Sequence, residues 1–414
     1  MAQLILPDAP WRHRAGLGLL CLRLDADAGT TRFVGGAVRD GLGEQAVTDI
    51  DLATRLTPEA VMSRLEAARI KVLPTGIAHG TVTAVLSSGS IEITTLRRDV
   101  STDGRRATVA FTDDWREDAA RRDFTINALS ADPVSGAVFD YFGGVDDLGA
   151  GRVAFIGDPL ERIAEDHLRI MRFFRFHARY GRGAPDGAAI AACAQRANDL
   201  MALSRERIAD ELFKILALQD PGGIIALMID QGIFKPVLPE ISHAAPMIRL
   251  IAREADAGIN GDPLRRLAAL LAADGAVAEE IGARLKLSNA KRKRLACAAA
   301  RRAGDWHHPK ALAYWVGYEG AVDRLLLRES IPRMDAAWEL DPLLLEQRGV
   351  RALAGWTAPT LPISGGAIVA RGIKAGPDVA RILKAVERQW VDEGFPDAAR
   401  TAAIADELVA TLRA

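Results

Sequence analysis

Strand-forming sequence occupies only the first third of this 414-residue chain, and that single shift in patterning limits the architectures open to it. From Thr31 to about Asp140, short β-branched and aromatic runs alternate with helical ones. Thr31–Val34, Ile50–Ala53, Ile70–Leu73, Thr81–Leu86, Ser90–Thr95 and Ala137–Phe139 read as strands. Beyond Pro159 no strand signal returns. Ala- and Leu-rich helical segments run to the C-terminus, punctuated at Asp220-Pro221-Gly222-Gly223, Asn260-Gly261-Asp262-Pro263, His308-Pro309 and Ala358-Pro359. The expected fold is therefore mixed α+β: a head with a mixed β-sheet over 1–150, a helical neck over 151–220, and a helical body and tail over 221–414. Within the neck, the segment PLERIAEDHLRIMRFFRFHARYG carries apolar residues at helical spacing and predicts one helix from Pro159. The polar stretch from Arg97 to Trp115 predicts a long loop.

The balance of 49% hydrophobic and 26% charged residues belongs to a globular chain, and no apolar run is long enough to span a membrane. The short run Ala15 to Leu22 leads into Arg23, Asp25 and Asp27 without a small-residue cleavage site, so the expectation is a cytoplasmic protein. Cys21, Cys193 and Cys297 lie far apart, which indicates neither a zinc site nor a disulfide framework. A net charge of −1 gives no global attraction to nucleic acid, so any such binding must come from local basic patches.

The first chemical signal is FVGGAVRDGLGEQAVTDIDLAT. Gly35 and Gly36 stand between a strand and a helix that begins near Ala37. Glycines there let backbone amides approach phosphate, and Arg39 adds a positive charge. No GxxxxGK[ST] occurs, so this is not a Walker cradle. Asp49 and Asp51, two apart on a predicted strand, share a face at roughly 7 Å along the backbone, close enough for their oxygens to converge on cations. Nucleotidyl transfer uses such a pair to hold two Mg²⁺ ions about 4 Å apart. Taken alone, a DxD is more often a solvated strand edge. Glu92 alternates with Ile91 and Ile93 and is the candidate third carboxylate; an outward, solvated Glu fits the same alternation.

GGAVRD, then DID, then RRDFTINAL, then FDYFGGVDDL, then EDHLRIMRFFRF occur in this order. With LSRERIADELFKIL after them, they resemble the family of class II tRNA nucleotidyltransferases and bacterial poly(A) polymerases over roughly residues 30 to 215. The resemblance implies a template-independent enzyme that adds CCA to the 3′ end of tRNA from CTP and ATP with release of pyrophosphate, using Mg²⁺. Poly(A) addition and CC-only or A-only addition share the same motifs. An inert RNA-binding protein would have lost the metal carboxylates, and Asp49 and Asp51 are both present.

Within that resemblance Arg122 is the triphosphate partner, Asp123 the acceptor for ribose hydroxyls, and Asn127 a support for the pocket. Asp166, Arg169, Arg172 and Arg175, spaced three apart, would form a ridge on one helix. Cytosine and adenine both present an amino donor beside an unprotonated ring nitrogen, whereas uracil and guanine present a carbonyl beside a ring N–H. Asp166 as acceptor and Arg169 as donor therefore suit C and A, while Arg172 and Arg175 extend phosphate or base contacts. An intrahelical ion pair between Asp166 and Arg169 is the plain alternative. Arg105 and Arg106, in the polar stretch, are assigned a part in moving the pocket from C to A addition. Lys286, Lys291, Arg292, Lys293 and Arg294, with Arg301 and Arg302, surround a helix capped by Ser288 and suit a tRNA backbone; a solvated surface is the alternative. No His-Asp dipeptide occurs, so no metal phosphohydrolase chemistry is expected. No protein partner is implied.

Overall fold

The computed structural model describes residues 3–102, 107–302, 304–328 and 349–413, so Arg105 and Arg106 lie outside the described residues. It divides into two compact units, Met1–Pro239 and Glu240–Ala414.

In the first unit the strands are β1 (Thr31–Val34), β2 (Asp51–Thr54), β3 (Lys71–Gly76), β4 (Thr81–Leu86), β5 (Gly89–Thr95), β6 (Arg97–Thr102), β7 (Ala107–Phe111), β8 (Ser130–Ala131) and β9 (Val138–Phe139). Seven of them form a sheet in the order β3-β4-β5-β2-β1-β8-β9. The one parallel pair is β2 with β5, which sets Asp51 beside Glu92. Leu52, Ile91 and Ile93 point into the main core with Phe33, Leu20 and Leu65. Strand alternation then places Asp51 and Glu92 on the opposite face. Antiparallel pairing of β1 with β2 sets Val34 opposite Asp51, so the Gly35-Gly36 turn leaves the sheet beside the first carboxylate of β2.

Helices of this unit are α1 (Leu17–Arg23), α2 (Gly36–Leu42), α3 (Pro58–Ala67), α4 (Trp115–Ala120), α5 (Gly144–Ala150), α6 (Pro159–Glu165), α7 (Arg169–Tyr180), α8 (Gly187–Gln195), α9 (Arg205–Leu216) and α10 (Gly222–Asp230). Asp158 starts α6 by accepting from the amides of Leu160 and Glu161, and Ser204 starts α9 by accepting from Arg207 N. The helix α7 is tied down by an aromatic stack: Phe124 lies 5.0 Å from Phe155 and 5.2 Å from Phe176, and Phe155 lies 5.8 Å from Phe173.

Three features depart from the sequence reading. The predicted single helix from Pro159 is interrupted, because Asp166 is extended (φ −150°, ψ 107°) and its Oδ1 accepts from Leu168 N at 3.1 Å. A short Asp side chain competes for backbone amides, so apolar periodicity alone does not reveal this break. The expected loop from Arg97 to Trp115 contains the β6–β7 hairpin, in which Arg97 pairs with Phe111. Lastly, β2 begins at Asp51, so Asp49 precedes the strand.

The second unit holds α11 (Ala245–Asp256), α12 (Pro263–Leu270), α13 (Gly275–Arg284), α14 (Asn289–Ala299) and α15 (Pro309–Leu326), the last broken at Gly317 (φ 79°). Three further helices, Gly365–Ala370, Pro377–Asp392 and Ala398–Arg413, pack around Trp390, Ile382, Val386 and Ile404. No described helix is long and apolar enough to cross a membrane.

Candidate nucleotide site

A cavity of about 420 Å³ opens where the Gly35-Gly36 turn, the start of β2, the Arg121–Asn127 segment and the α6–α7 break meet. Its lining includes Asp51, Arg39, Arg122, Asp166, Arg169 and Arg207, so charge of both signs faces a space of nucleotide size.

Gly35 adopts φ 61° and ψ −121°, outside the range ordinary residues hold comfortably, and a Cβ there would meet Arg122 Nη1 at 3.0 Å. The turn therefore needs glycine for both backbone and space. Arg122 is held over it by Asp118 (3.3 Å) and by Asn127 O (3.3 Å). Burial alone would raise the Asp118 carboxyl, but Arg122 and Arg121 hold it below the usual carboxylate range. Arg39 is buried; its Nε donates to Asp40 at 2.8 Å, it also donates to Asn127 Oδ1, and it lies 4.3 Å over the Tyr180 ring. These contacts fix Arg39 as a wall of the cavity.

The Asp51 carboxyl is pushed above its ordinary value by burial first, then by Glu92, with Asp49 adding to the repulsion and Arg122 opposing it. Glu92 and Asp49 are exposed. Three acidic or imidazole groups do not converge as a ready metal cage among the described residues. The β2–β5 register nevertheless sets Asp51 beside Glu92, two hard-oxygen carboxylates of the kind Mg²⁺ takes together with a phosphate.

Asp123 is buried, and its neighbours saturate it. Oδ1 accepts from Phe124 N and Asn127 Nδ2, both at 2.9 Å, while Oδ2 accepts from Arg172 Nε at 2.7 Å and Nη2 at 2.6 Å. A carboxylate offers about four acceptor positions, so a ribose hydroxyl must compete with Arg172. Burial would raise this carboxyl, yet Arg172 holds it below the usual range.

Asp166 and Arg169 both line the cavity but do not pair with each other. Arg169 donates through Nη1 to Arg162 O (3.0 Å) and Glu165 Oε2 (2.5 Å), and through Nη2 to Arg121 O (2.9 Å). Of the five N–H groups of a guanidinium, the Nε donor and one Nη2 donor then remain. The partner of Asp166 is Arg207 from α9, whose Nη2 reaches Oδ1 at 3.0 Å and Oδ2 at 2.8 Å. Arg207 lies in LSRERIADELFKIL, where no local pattern marks it for the cavity. An Arg four residues before Glu211 on one helix ordinarily pairs with it. Here Glu211 takes Arg175 instead, which leaves Arg207 to reach the break at Asp166. Arg175 is thereby turned to the α7–α9 contact and is not among the cavity residues.

The second unit revises the basic cluster. Ser288 caps α14 by accepting from Lys291 N at 3.4 Å, and Lys286, Lys291 and Lys293 are exposed. Arg292, however, pairs with Glu279 at 2.6 Å, and Arg294 with Asp262, Glu319 and the fully buried Asp323 at 2.8–3.0 Å. Arg301 donates to Ala268 O and Leu271 O. Arg292, Arg294 and Arg301 are thus engaged within the fold, whereas Lys286, Lys291, Lys293 and Arg302 are exposed.

Comparison with known proteins places these features in company. Residues 31–154 match the family model described as poly A polymerase head domain, and residues 186–244 match the one described as "Probable RNA and SrmB- binding site of polymerase A". The chain is 34% identical over 370 residues to the mitochondrial CCA tRNA nucleotidyltransferase 1 of Mus musculus, covering 88% of this chain and 83% of that protein. It is 42% identical over 200 residues to the CCA-adding enzyme of Oceanobacillus iheyensis, covering 48% of each. Among solved structures, the Bacillus stearothermophilus CCA-adding enzyme in complex with CTP superposes with a TM-score of 0.75 at 27% identity, covering 98% of this chain and 99% of that one. The Thermotoga maritima CCA-adding enzyme complexed with tRNA shares the fold at a TM-score of 0.68 and 20% identity.

Proposed function

The chain belongs to the family of CCA-adding tRNA nucleotidyltransferases, and we propose that it completes the 3′ end of tRNA by adding C, C and A from CTP and ATP in the one cavity described above. The observation that carries this reading is the cavity itself. It brings an anion-receptive glycine turn, a sheet-borne carboxylate and a carboxylate–guanidinium pair capable of reading a base within one nucleotide-sized space.

In this reading the triphosphate lies against Gly35 and Gly36, where Arg122 supplies charge held in place by Asp118. Arg39 and Asn127 brace the wall behind it. Asp51 and Glu92, with Asp49 just upstream, would hold the divalent ion, Mg²⁺ by the chemistry of their oxygens. An ion held there would lower the pKa of the attacking hydroxyl and neutralise charge on the departing pyrophosphate. Asp166 accepts from the amino group shared by cytosine and adenine, and the remaining donors of Arg169 meet the ring nitrogen. Uracil and guanine set a carbonyl against Asp166 and a ring N–H against Arg169, so both are opposed. Arg172 positions Asp123, and a ribose 2′-hydroxyl gains a place only by sharing that pair. The exposed lysines of the α13–α14 turn and α14 contact the tRNA backbone.

As for location, the Mus musculus relative is mitochondrial by name. The domain division follows the same reading: a catalytic head, a nucleotide-selecting neck and a tRNA-binding body and tail.

Chemistry and base choice should separate on mutation. Asp51→Ala is expected to abolish incorporation of CTP and ATP alike in a folded protein. Asp166→Ala should keep measurable turnover while its preference for CTP over UTP falls about 5- to 150-fold, the equivalent of ~1–3 kcal/mol for a well-placed base contact. Near-normal turnover in Asp51→Ala would overturn the metal assignment, and unchanged nucleotide ratios in Asp166→Ala would overturn the base-reading one.

A further inference from the structure

The carboxylate of Asp166 sits in a break between helices, where nothing in regular secondary structure fixes its orientation. A terminal carboxylate torsion is broad and nearly two-fold, so a group meant to discriminate between an amino donor and a carbonyl must be held by other contacts. Two are present. Leu168 N donates to Oδ1 at 3.1 Å, and Arg207 Nη2 donates to Oδ1 at 3.0 Å and to Oδ2 at 2.8 Å. With about two acceptor positions per oxygen, Oδ1 is then filled and Oδ2 keeps one.

We propose that Arg207 is the positioning residue for base selection: it locks the Asp166 carboxylate so that a single acceptor position, on Oδ2, is presented to the incoming base. The inference rests on the reading of Asp166 as the base acceptor. Arg207 itself is well placed to be rigid. It lies in the first turn of α9, where its own amide is capped by Ser204, and its side chain is about one-third exposed where it lines the cavity. Its usual helical partner, Glu211, is occupied by Arg175. A locked carboxylate opposes a carbonyl because it cannot turn aside. Released from Arg207, it regains rotation and free acceptor positions, and the penalty against UTP and GTP relaxes while the amino contact to C or A survives in part. Lysine replaces this only in part, since its ammonium rotates freely on a flexible four-carbon stem and does not fix the direction of its donors.

The test is a double-mutant cycle on the full chain with tRNA lacking its CCA end, reading kcat/KM for CTP, UTP, ATP and GTP in wild type, Arg207→Ala, Arg207→Lys, Asp166→Ala and Asp166→Ala/Arg207→Ala. Arg207→Ala is expected to lower the CTP-to-UTP and ATP-to-GTP ratios by about five- to tenfold, toward the low end of what a base contact is worth. Arg207→Lys should fall between it and wild type. In the Asp166→Ala background, removing Arg207 should leave the ratios where they already are. Ratios preserved in Arg207→Ala, or a loss in the double variant equal to the product of the two single losses, would overturn the proposal while leaving Asp166 as reader. Unchanged ratios in Asp166→Ala would instead remove the reading beneath it. If the alanine variant does not fold, Arg207→Lys decides: a lowered ratio supports the positioning role, and a wild-type ratio overturns it.

Discussion

Replacing Arg294 by alanine should damage the second unit rather than its hold on RNA. The guanidinium reaches Asp323 at 2.8 Å, Asp262 at 3.0 Å and Glu319 at 2.8 Å. Asp323 is completely buried, and its other cation is Arg265 at 2.8 Å, which in turn shares the buried Glu254 with Arg266. Removing one member of a buried pair typically costs about 3–5 kcal/mol, because the other charge is left uncompensated. Asp323 keeps Arg265, and the Arg294 side chain is 20% exposed, so the cost here is about 2 kcal/mol. For a unit of this size that corresponds to a melting temperature lower by about 4–8 °C. Paired with it, Lys293→Ala removes one exposed charge with little effect expected on melting. That variant should bind tRNA more weakly and lose about 0.7–0.9 from the salt-dependence slope for each phosphate contact given up. Calorimetry and a tRNA titration between about 50 and 200 mM salt read both effects. An Arg294→Ala protein that melts with wild type yet binds tRNA more weakly would refute the assignment of this arginine to the interior.

Gly35→Ala forces a left-handed residue to carry a Cβ against Arg122, with a strain of about 1–3 kcal/mol. It should raise KM for CTP and ATP together without altering their preference over UTP and GTP; an altered preference would move the turn from the triphosphate to the base. The Asp123–Arg172 pair predicts a pH effect. A carboxyl held below its unfolded value of about 3.9 contributes stability above that pH and loses it as pH falls through the folded value. Arg172→Met should therefore melt below wild type near neutral pH, and the difference should shrink below about pH 4. A gap that stays constant with acid would show that Arg172 stabilises through packing alone.

Most of the head was legible in the sequence, because strands such as Thr31–Val34 and Thr81–Leu86 are short runs rich in β-branched and apolar residues that end at glycines or polar turns. The β6–β7 hairpin was not, since its first strand, RRDVST, is polar and an Asp-Gly dipeptide serves a loop as well as a hairpin. The same limit applies to the site. Alternation alone could set Glu92 on the face opposite Ile91 and Ile93, but its place beside Asp51 comes from the parallel β2–β5 register, which no local pattern carries. The Asp166–Arg207 pair joins residues 41 apart, and it depends on a helix break made by one carboxylate bonding two residues ahead. Periodicity smooths over such a break. In the basic helix α14, the spacing of charges showed which residues are cationic but not that Arg294 would find Asp323 on another helix.

The most direct test of the central claim is to incubate the protein with CTP, ATP and a tRNA that ends at the nucleotide before its CCA, then sequence the 3′ ends. Termination at CCA in the mixture, and at CC with CTP alone, is the expected result. A run of adenosines, or a stop at CC or after a single A with both nucleotides present, would contradict it.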